Sequence, residues 1–220
     1  MSGITGLIYE ILWTRMITKI IGGAPYAVSI VLTVFMGGLG LGSYLAGRYI
    51  DRLKSPGDLV RTYGILELFI GGYGLVLPVL LFIFRPLYAV LYNHMYEYSF
   101  SYNLLTFAGC ALILLPPVIC MGATLPVLSR YYVNGISTLG ASLGRLYSIN
   151  TVGGALGSLI CGFWIINLWG IWGSLAFAMA LNVIIGFAGI YIGSRIGPDG
   201  VAAVGAAKGE PASVAREYAR

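Results

Sequence analysis

Six long apolar stretches dominate the chain, over about 3–23, 26–48, 62–84, 103–128, 146–167 and 171–194. A helix needs roughly 20 apolar residues to cross a bilayer, so the pattern predicts an all-α membrane protein with six transmembrane helices. Two connections, Gly22-Gly23-Ala24-Pro25 and Leu168-Trp169-Gly170, are short enough for tight helical hairpins. The 85–102 connection carries Tyr88, Tyr92 and Tyr96 at four-residue spacing, then Tyr98, Phe100 and Tyr102. Tyrosine favours the headgroup region, so an interfacial helix on the outer leaflet is expected there; an aromatic lid over a ligand is the alternative. After Ser194 the pattern stops, and 197–215 is rich in Gly, Ala and Pro. The chain therefore divides into a membrane domain, 1–194, and a flexible cytoplasmic tail or linker, 195–220.

Composition agrees with this reading. Hydrophobic residues make up 58% and charged residues only 10%, against about 25% charged in a typical soluble domain, and the mean hydropathy is +0.87. Cys110, Cys120 and Cys161 all fall in apolar stretches with no zinc-ligand spacing, and read as small hydrophobes. No cleavable signal peptide is visible. The net charge is +5, and its placement sets the expected orientation. With the amino terminus inside, Arg48, Arg52, Lys54, Arg61, Arg130, Arg145, Arg195, Lys208, Arg216 and Arg220 are cytoplasmic. Arg15, Lys19 and Arg85 remain in the outer half. By the positive-inside rule both termini are cytoplasmic, in the cytoplasmic (inner) membrane.

A motif, G-x-x-x-G-S-x-x-x-G, occurs twice, 115 positions apart. The first copy is Gly38, Gly42, Ser43 and Gly47; the second is Gly153, Gly157, Ser158 and Gly162. Small residues every four positions let a second helix backbone approach closely, the packing that holds helices together in lipid. Ile11-Leu12-Trp13-Thr14-Arg15 and Pro126-Val127-Leu128-Ser129-Arg130 give a weaker echo at the same offset. Three crossings per half turn the second half upside down, so the expected architecture is a 3+3 inverted repeat.

Chemistry inside the membrane is sparse. Glu10 falls near the middle of the first stretch and Glu67 in the inner part of the third. Ionised carboxylates in hydrocarbon are costly and face a cavity or a partner. Three readings stay open: the acids bind a cationic solute, carry a proton, or pair with basic residues of neighbouring helices. Arg15 lies about 140° around the helix from Glu10, so those two do not pair with each other. Tyr147 and Asn150 share a helix face and join the two acids as candidate cation- or substrate-binding residues; an interhelical hydrogen bond is the plainer role for Asn150. Pro116, Pro117 and Pro126 in the fourth stretch are expected to break or kink that helix. Gly38-Leu39-Gly40-Leu41-Gly42 lacks the strand-turn context of a dinucleotide loop. No metal-ligand cluster, cofactor site or Ser/His/Asp set is visible, and nothing calls for a nucleic-acid partner. The single His94 sits in the aromatic connection, where a surface role is expected.

Three motifs carry a family resemblance. Ser2-Gly3 with Leu7-Ile8-Tyr9-Glu10-Ile11-Leu12-Trp13-Thr14-Arg15 resembles the first membrane helix of the membrane-fused spermidine synthase family. So do Leu115-Pro116-Pro117 followed by Met121-Gly122-Ala123-Thr124-Leu125-Pro126, and Gly144-Arg145-Leu146-Tyr147-Ser148-Ile149-Asn150-Thr151 with Gly153 and Gly157. The resemblance covers about residues 2–194, and the family's membrane part is similar to half of a major facilitator transporter. Gly47 with Asp51-Arg52 looks like the start of the facilitator loop signature. Leu53-Lys54-Ser55-Pro56 then departs from it, against a gating role for that loop.

Family members continue into a cytoplasmic aminopropyltransferase domain, none of whose catalytic residues can be carried over to this chain. Its chain is expected to be either a fragment or a separate membrane subunit. The resemblance implies an integral membrane module that binds or moves a cationic polyamine, or anchors a cytoplasmic aminopropyltransferase. The alternative is a non-catalytic structural or assembly subunit of a larger membrane complex. Catalysis within the membrane has no constellation of residues behind it.

Overall fold

The computed structural model describes residues 2–53, 55–132 and 139–196; the expected tail, beyond its first two positions, lies outside them. All regular structure among the described residues is helical. In chain order the elements are α1 (Ser2–Ile21), α2 (Ala24–Tyr49), a 3₁₀ turn (Ile50–Arg52), α3 (Pro56–Met95) and α4 (Ser99–Tyr132). After these come α5 (Leu139–Ile160), a π-helical segment (Cys161–Ile165) and α6 (Ile166–Arg195). Four runs are long and apolar enough to cross a membrane: α2, α3, α4 and the continuous run Leu139–Arg195. This is an integral membrane protein.

Glycine makes both tight turns. Gly22, at φ 81°, follows the last residue of α1, and Pro25 sits in the first turn of α2, where its missing N–H costs nothing. Gly170, at φ 66° and ψ −173°, interrupts α6 near its start. Only glycine adopts that backbone conformation readily. The long carboxy-terminal run therefore changes direction at the Leu168-Trp169-Gly170 connection.

The first apolar stretch forms α1, which is not among the four long apolar runs. Its 20 residues include Glu10, Arg15 and Lys19. Ile8, Tyr9, Leu12, Trp13 and Ile17 are all buried, and α1 touches every other helix. A helix wrapped in protein does not need the hydropathy of one that faces lipid.

The expectation for α3 is corrected, and of the break or kink expected in α4 the break does not occur. The 85–102 segment is not a separate interfacial helix: α3 continues through Pro86 to Met95. Its 40 residues are about 60 Å long at 1.5 Å per residue, twice the hydrocarbon thickness of about 30 Å. Packing ties the extension to the rest of the bundle. The Tyr88 hydroxyl donates to the Ile21 carbonyl at 3.2 Å and is hydrogen-bonded to the Tyr102 hydroxyl. The Tyr92 and Tyr96 rings pack tilted and edge-on around the same group while remaining partly exposed; Tyr98 and Phe100 are exposed.

Helix α4 is not broken at Pro116, Pro117 and Pro126; it runs through all three. Each proline lacks the N–H that would bond the carbonyl four residues back. Two of the carbonyls so freed are met by neighbouring helices. Tyr73 of α3 donates to the Ile113 carbonyl at 3.0 Å, below Pro117. Ser43 of α2 donates to the Gly122 carbonyl at 3.1 Å, below Pro126. Such hydroxyls are what lets proline stay inside a membrane helix.

Three of the bundle's interfaces are built on glycine. Helices α2 and α4 run parallel, with Tyr26 bonded to Asn103, Gly38 on Val118 and Gly42 on Ile119. Helices α1 and α5 run parallel, with Gly3 on Asn150, Leu7 on Gly154 and Gly157 on Ile4. Helices α3 and α6 run antiparallel, with Gly57 against Gly193, Gly64 against Gly186 and Gly71 against Met179. At each interface an added Cβ would strike opposing backbone: at Gly157 it would lie 2.5 Å from the Ile4 carbonyl oxygen, at Gly64 2.6 Å from that of Gly186.

Candidate functional site

Glu67 lies where α3 meets α6 and α1. It is 0% exposed, and neither carboxyl oxygen has a hydrogen-bond partner among the described residues. The hydroxyls of Ser2 and Tyr63 stand close to the carboxyl without reaching hydrogen-bond geometry. Across the interface, Asn182 of α6 is also fully buried. Its Nδ2 donates to the Glu67 backbone carbonyl at 3.5 Å, and its Oδ1 is unpartnered. The buried Tyr9 hydroxyl of α1 is unpartnered as well, and a Cβ on Gly74 would sit 3.4 Å from it.

Glycines set how closely the helices pack along α3 beyond Glu67. Gly71 and Gly74, one and two turns beyond Glu67, let α6 and Tyr9 approach. Toward the Ser2 end the polar lining continues. Ser2 lies 3.5 Å from the Thr124 hydroxyl, which donates to the Met121 carbonyl at 2.7 Å. All four orphaned oxygens can accept a hydrogen bond, and three of them can only accept.

The other sequence-derived candidates lie elsewhere. Glu10 is half-buried on α1, and its backbone carbonyl takes the Thr14 hydroxyl at 2.7 Å. Tyr147 is 63% exposed. Asn150 is half-buried, with its carbonyl and Oδ1 against Gly3. The structure thus does not gather Glu67, Tyr147 and Asn150 into one site. Of the two glycine stripes, Gly38, Gly42, Gly153 and Gly157 form contacts, whereas Gly47 and Gly162 face open space. Ser43 bonds across to α4, but Ser158 bonds within its own helix, to Ala155. Arg52, in the 3₁₀ turn, places its guanidinium over the Tyr49 ring at 4.8 Å. The Asp51 side chain lies outside the described residues.

Sequence reasoning missed Asn182 and Tyr63 as neighbours of Glu67. One signal was present: Asn182 follows Glu67 by 115 positions, the offset of the repeated motif. Two clefts open on the bundle surface, one between α3 and α6 around Pro78 and Trp172, the other between α2 and α4 around Ile30 and Phe107. Glu10 and Glu67 line neither. Comparison with protein-family models, with curated proteins and with solved structures finds no match in any of the three.

Proposed function

We propose that this chain is a six-span membrane module built on a 3+3 inverted repeat, with both termini cytoplasmic and set in the cytoplasmic membrane. The contacts support the repeat. The pair Gly42 and Ile119 becomes Gly157 and Ile4 when 115 is added to one number and subtracted from the other. Leu39 and Gly122 become Gly154 and Leu7 in the same way, and Glu67 and Asn182 exchange places. A two-fold axis in the membrane plane produces this reciprocity. The directions of the three interfaces also fit six alternating crossings.

In function the module is an anchoring and assembly unit of a spermidine-synthase-like protein, holding a cytoplasmic aminopropyltransferase or neighbouring membrane subunits. The carrying observation is the backbone-to-backbone glycine packing at all three interfaces. Such packing fixes the helices closely against one another, and neither Glu10 nor Glu67 lines either cleft. The test is purification from native membranes after mild cross-linking, with mass spectrometry of the partners. A co-purifying aminopropyltransferase, or a longer chain carrying one, supports the polyamine-enzyme anchor. A large unrelated complex leaves only the structural role, and a protein recovered alone sinks both.

A second reading, polyamine binding, is favoured by the unpartnered acceptors at Glu67. Saturable spermidine binding that disappears in the Glu10→Gln, Glu67→Gln double variant is its signature. Binding unchanged in that variant removes it.

A further inference from the structure

We propose that the cleft between α3 and α6 binds one acyl chain of an anionic phospholipid, with Arg85 holding the lipid's phosphate. The seam between the two helices makes the cleft. In steps of seven residues α3 brings Gly57, Gly64 and Gly71 against Gly193, Gly186 and Met179 of α6. The next step in the same register brings Pro78 to Trp172, and both line the cleft. Glycine on both sides gives way to glycine with methionine, then to proline with tryptophan. Where the small residues end the backbones no longer close, and a space of about 410 Å³ opens. Ligand sites commonly enclose about 300–1,000 Å³. Apart from the Trp172 indole, no side chain lining the cleft has a polar N–H or O–H. Leu75, Val79, Phe82 and Trp172 are largely exposed, so the cleft lies open along the side of the bundle, where a bilayer offers hydrocarbon chains.

A charge stands at one end. Leu75, Pro78 and Phe82 line the cleft at helical spacing, and Arg85, three residues further, continues the same face of α3 and is exposed. In the register of the seam Gly170 falls level with Leu80, which puts Arg85 about 7.5 Å beyond the α5–α6 turn. Trp169, beside that turn, and Trp172 are exposed, and tryptophan gathers where membrane meets water. Arg85 thus stands at headgroup level above an apolar cleft. Helix α3 has no acid after Glu67, and α6 has none at all. No carboxylate of either helix competes for Arg85 or repels an anion beside it. A guanidinium takes two phosphate oxygens at once. A phospholipid supplies both parts, a chain for the cleft and a phosphate for the arginine, and binds by association alone.

Quenching of Trp172 by brominated lipid tests this on the full chain in nanodiscs. Trp164→Phe and Trp169→Phe leave Trp172 as the exposed tryptophan beside the buried Trp13. Phosphatidylglycerol or phosphatidylcholine with dibrominated chains is titrated into unbrominated phosphatidylcholine. The expected result is a preference of about fivefold for phosphatidylglycerol, the weight of one Arg or Lys beside anionic lipid. Arg85→Gln should bring the two lipids level, whereas Arg130→Gln, at the opposite end of the bundle, should leave the preference intact. Equal quenching by the two lipids in the parent overturns the proposal, since ordinary bilayer lipid then fills the cleft. A preference that survives Arg85→Gln, or falls as far in Arg130→Gln, overturns it too. So does a Trp172 that neither lipid reaches, which means that protein, a second copy included, covers the cleft.

Discussion

Gly42 and Gly47 belong to one motif but, five residues apart, lie about 140° from each other around α2, and only Gly42 meets another helix. Replacing each with alanine separates packing from propensity. At Gly42 the new Cβ meets the Ile119 carbonyl oxygen and lies 2.8 Å from its carbon and 3.0 Å from Cα of Ile119. Ordinary contact begins at 3.4 Å, so α2 and α4 must separate by about 1 Å. Overpacking of this kind costs about 1–3 kcal/mol. The same shift stretches the 3.1 Å bond from Ser43 to the Gly122 carbonyl, adding about 0.6 kcal/mol, the average for such bonds in membranes. Higher helix propensity returns about 0.5–1 kcal/mol. Gly42→Ala is therefore expected to destabilise by about 1–3 kcal/mol. At Gly47 nothing lies within 4 Å, so only the propensity gain remains and Gly47→Ala stabilises by about 0.5–1 kcal/mol. Reversible unfolding by dodecyl sulfate in mixed micelles, followed by tryptophan fluorescence, measures both. Equal destabilisation of the two variants, or a Gly42→Ala protein as stable as the parent, would refute the reasoning.

Three further expectations use the same assay. Tyr73→Phe strips the hydroxyl from the Ile113 carbonyl and should cost about 1 kcal/mol; in a Pro117→Ala background, where the helix can bond that carbonyl itself, the cost should shrink, and an unchanged cost would break the link between the two residues. Tyr88→Phe removes the bonds to Ile21 and Tyr102 and should cost about 1–2 kcal/mol, whereas Tyr98→Phe, at an exposed ring, should be silent. Gly170→Ala forces a side chain into a backbone region reserved for glycine and should cost about 1–3 kcal/mol; a neutral result would mean the turn relaxes to another conformation.

The helical class, the turns at Gly22 and Gly170 and the contacts of Gly42 and Gly157 were legible in the sequence, because spacing and glycine carry them locally. Helix length was not. Tyr88, Tyr92 and Tyr96 show the same four-residue period whether the helix lies on the membrane or stands out of it. The deciding contacts, Tyr88 to Ile21 and Tyr102, join distant parts of the chain. The α3–α6 seam escaped notice because Gly57, Gly64 and Gly71 recur every seven positions rather than every four. Proline spoke clearly about a lost bond, but the compensating hydroxyls of Tyr73 and Ser43 lie on other helices. At the candidate site Glu67 was conspicuous as an acid in an apolar stretch. Asn182 and Tyr9 were not, since a single amide or phenol in a membrane span is commonplace until its neighbours are known.

The hydroxyl-capped prolines of α4 bear on how the protein is made. A bare carbonyl in hydrocarbon costs several kcal/mol, so α4, though strongly apolar, gains from donors on other helices. Its donors, Ser43 and Tyr73, belong to helices synthesised before it. Emerging from the ribosome in chain order, α4 meets partners already in the membrane. The order of the genetic message thus doubles as an order of assembly, and a permuted chain that began at α4 would have to insert it before either hydroxyl donor was made.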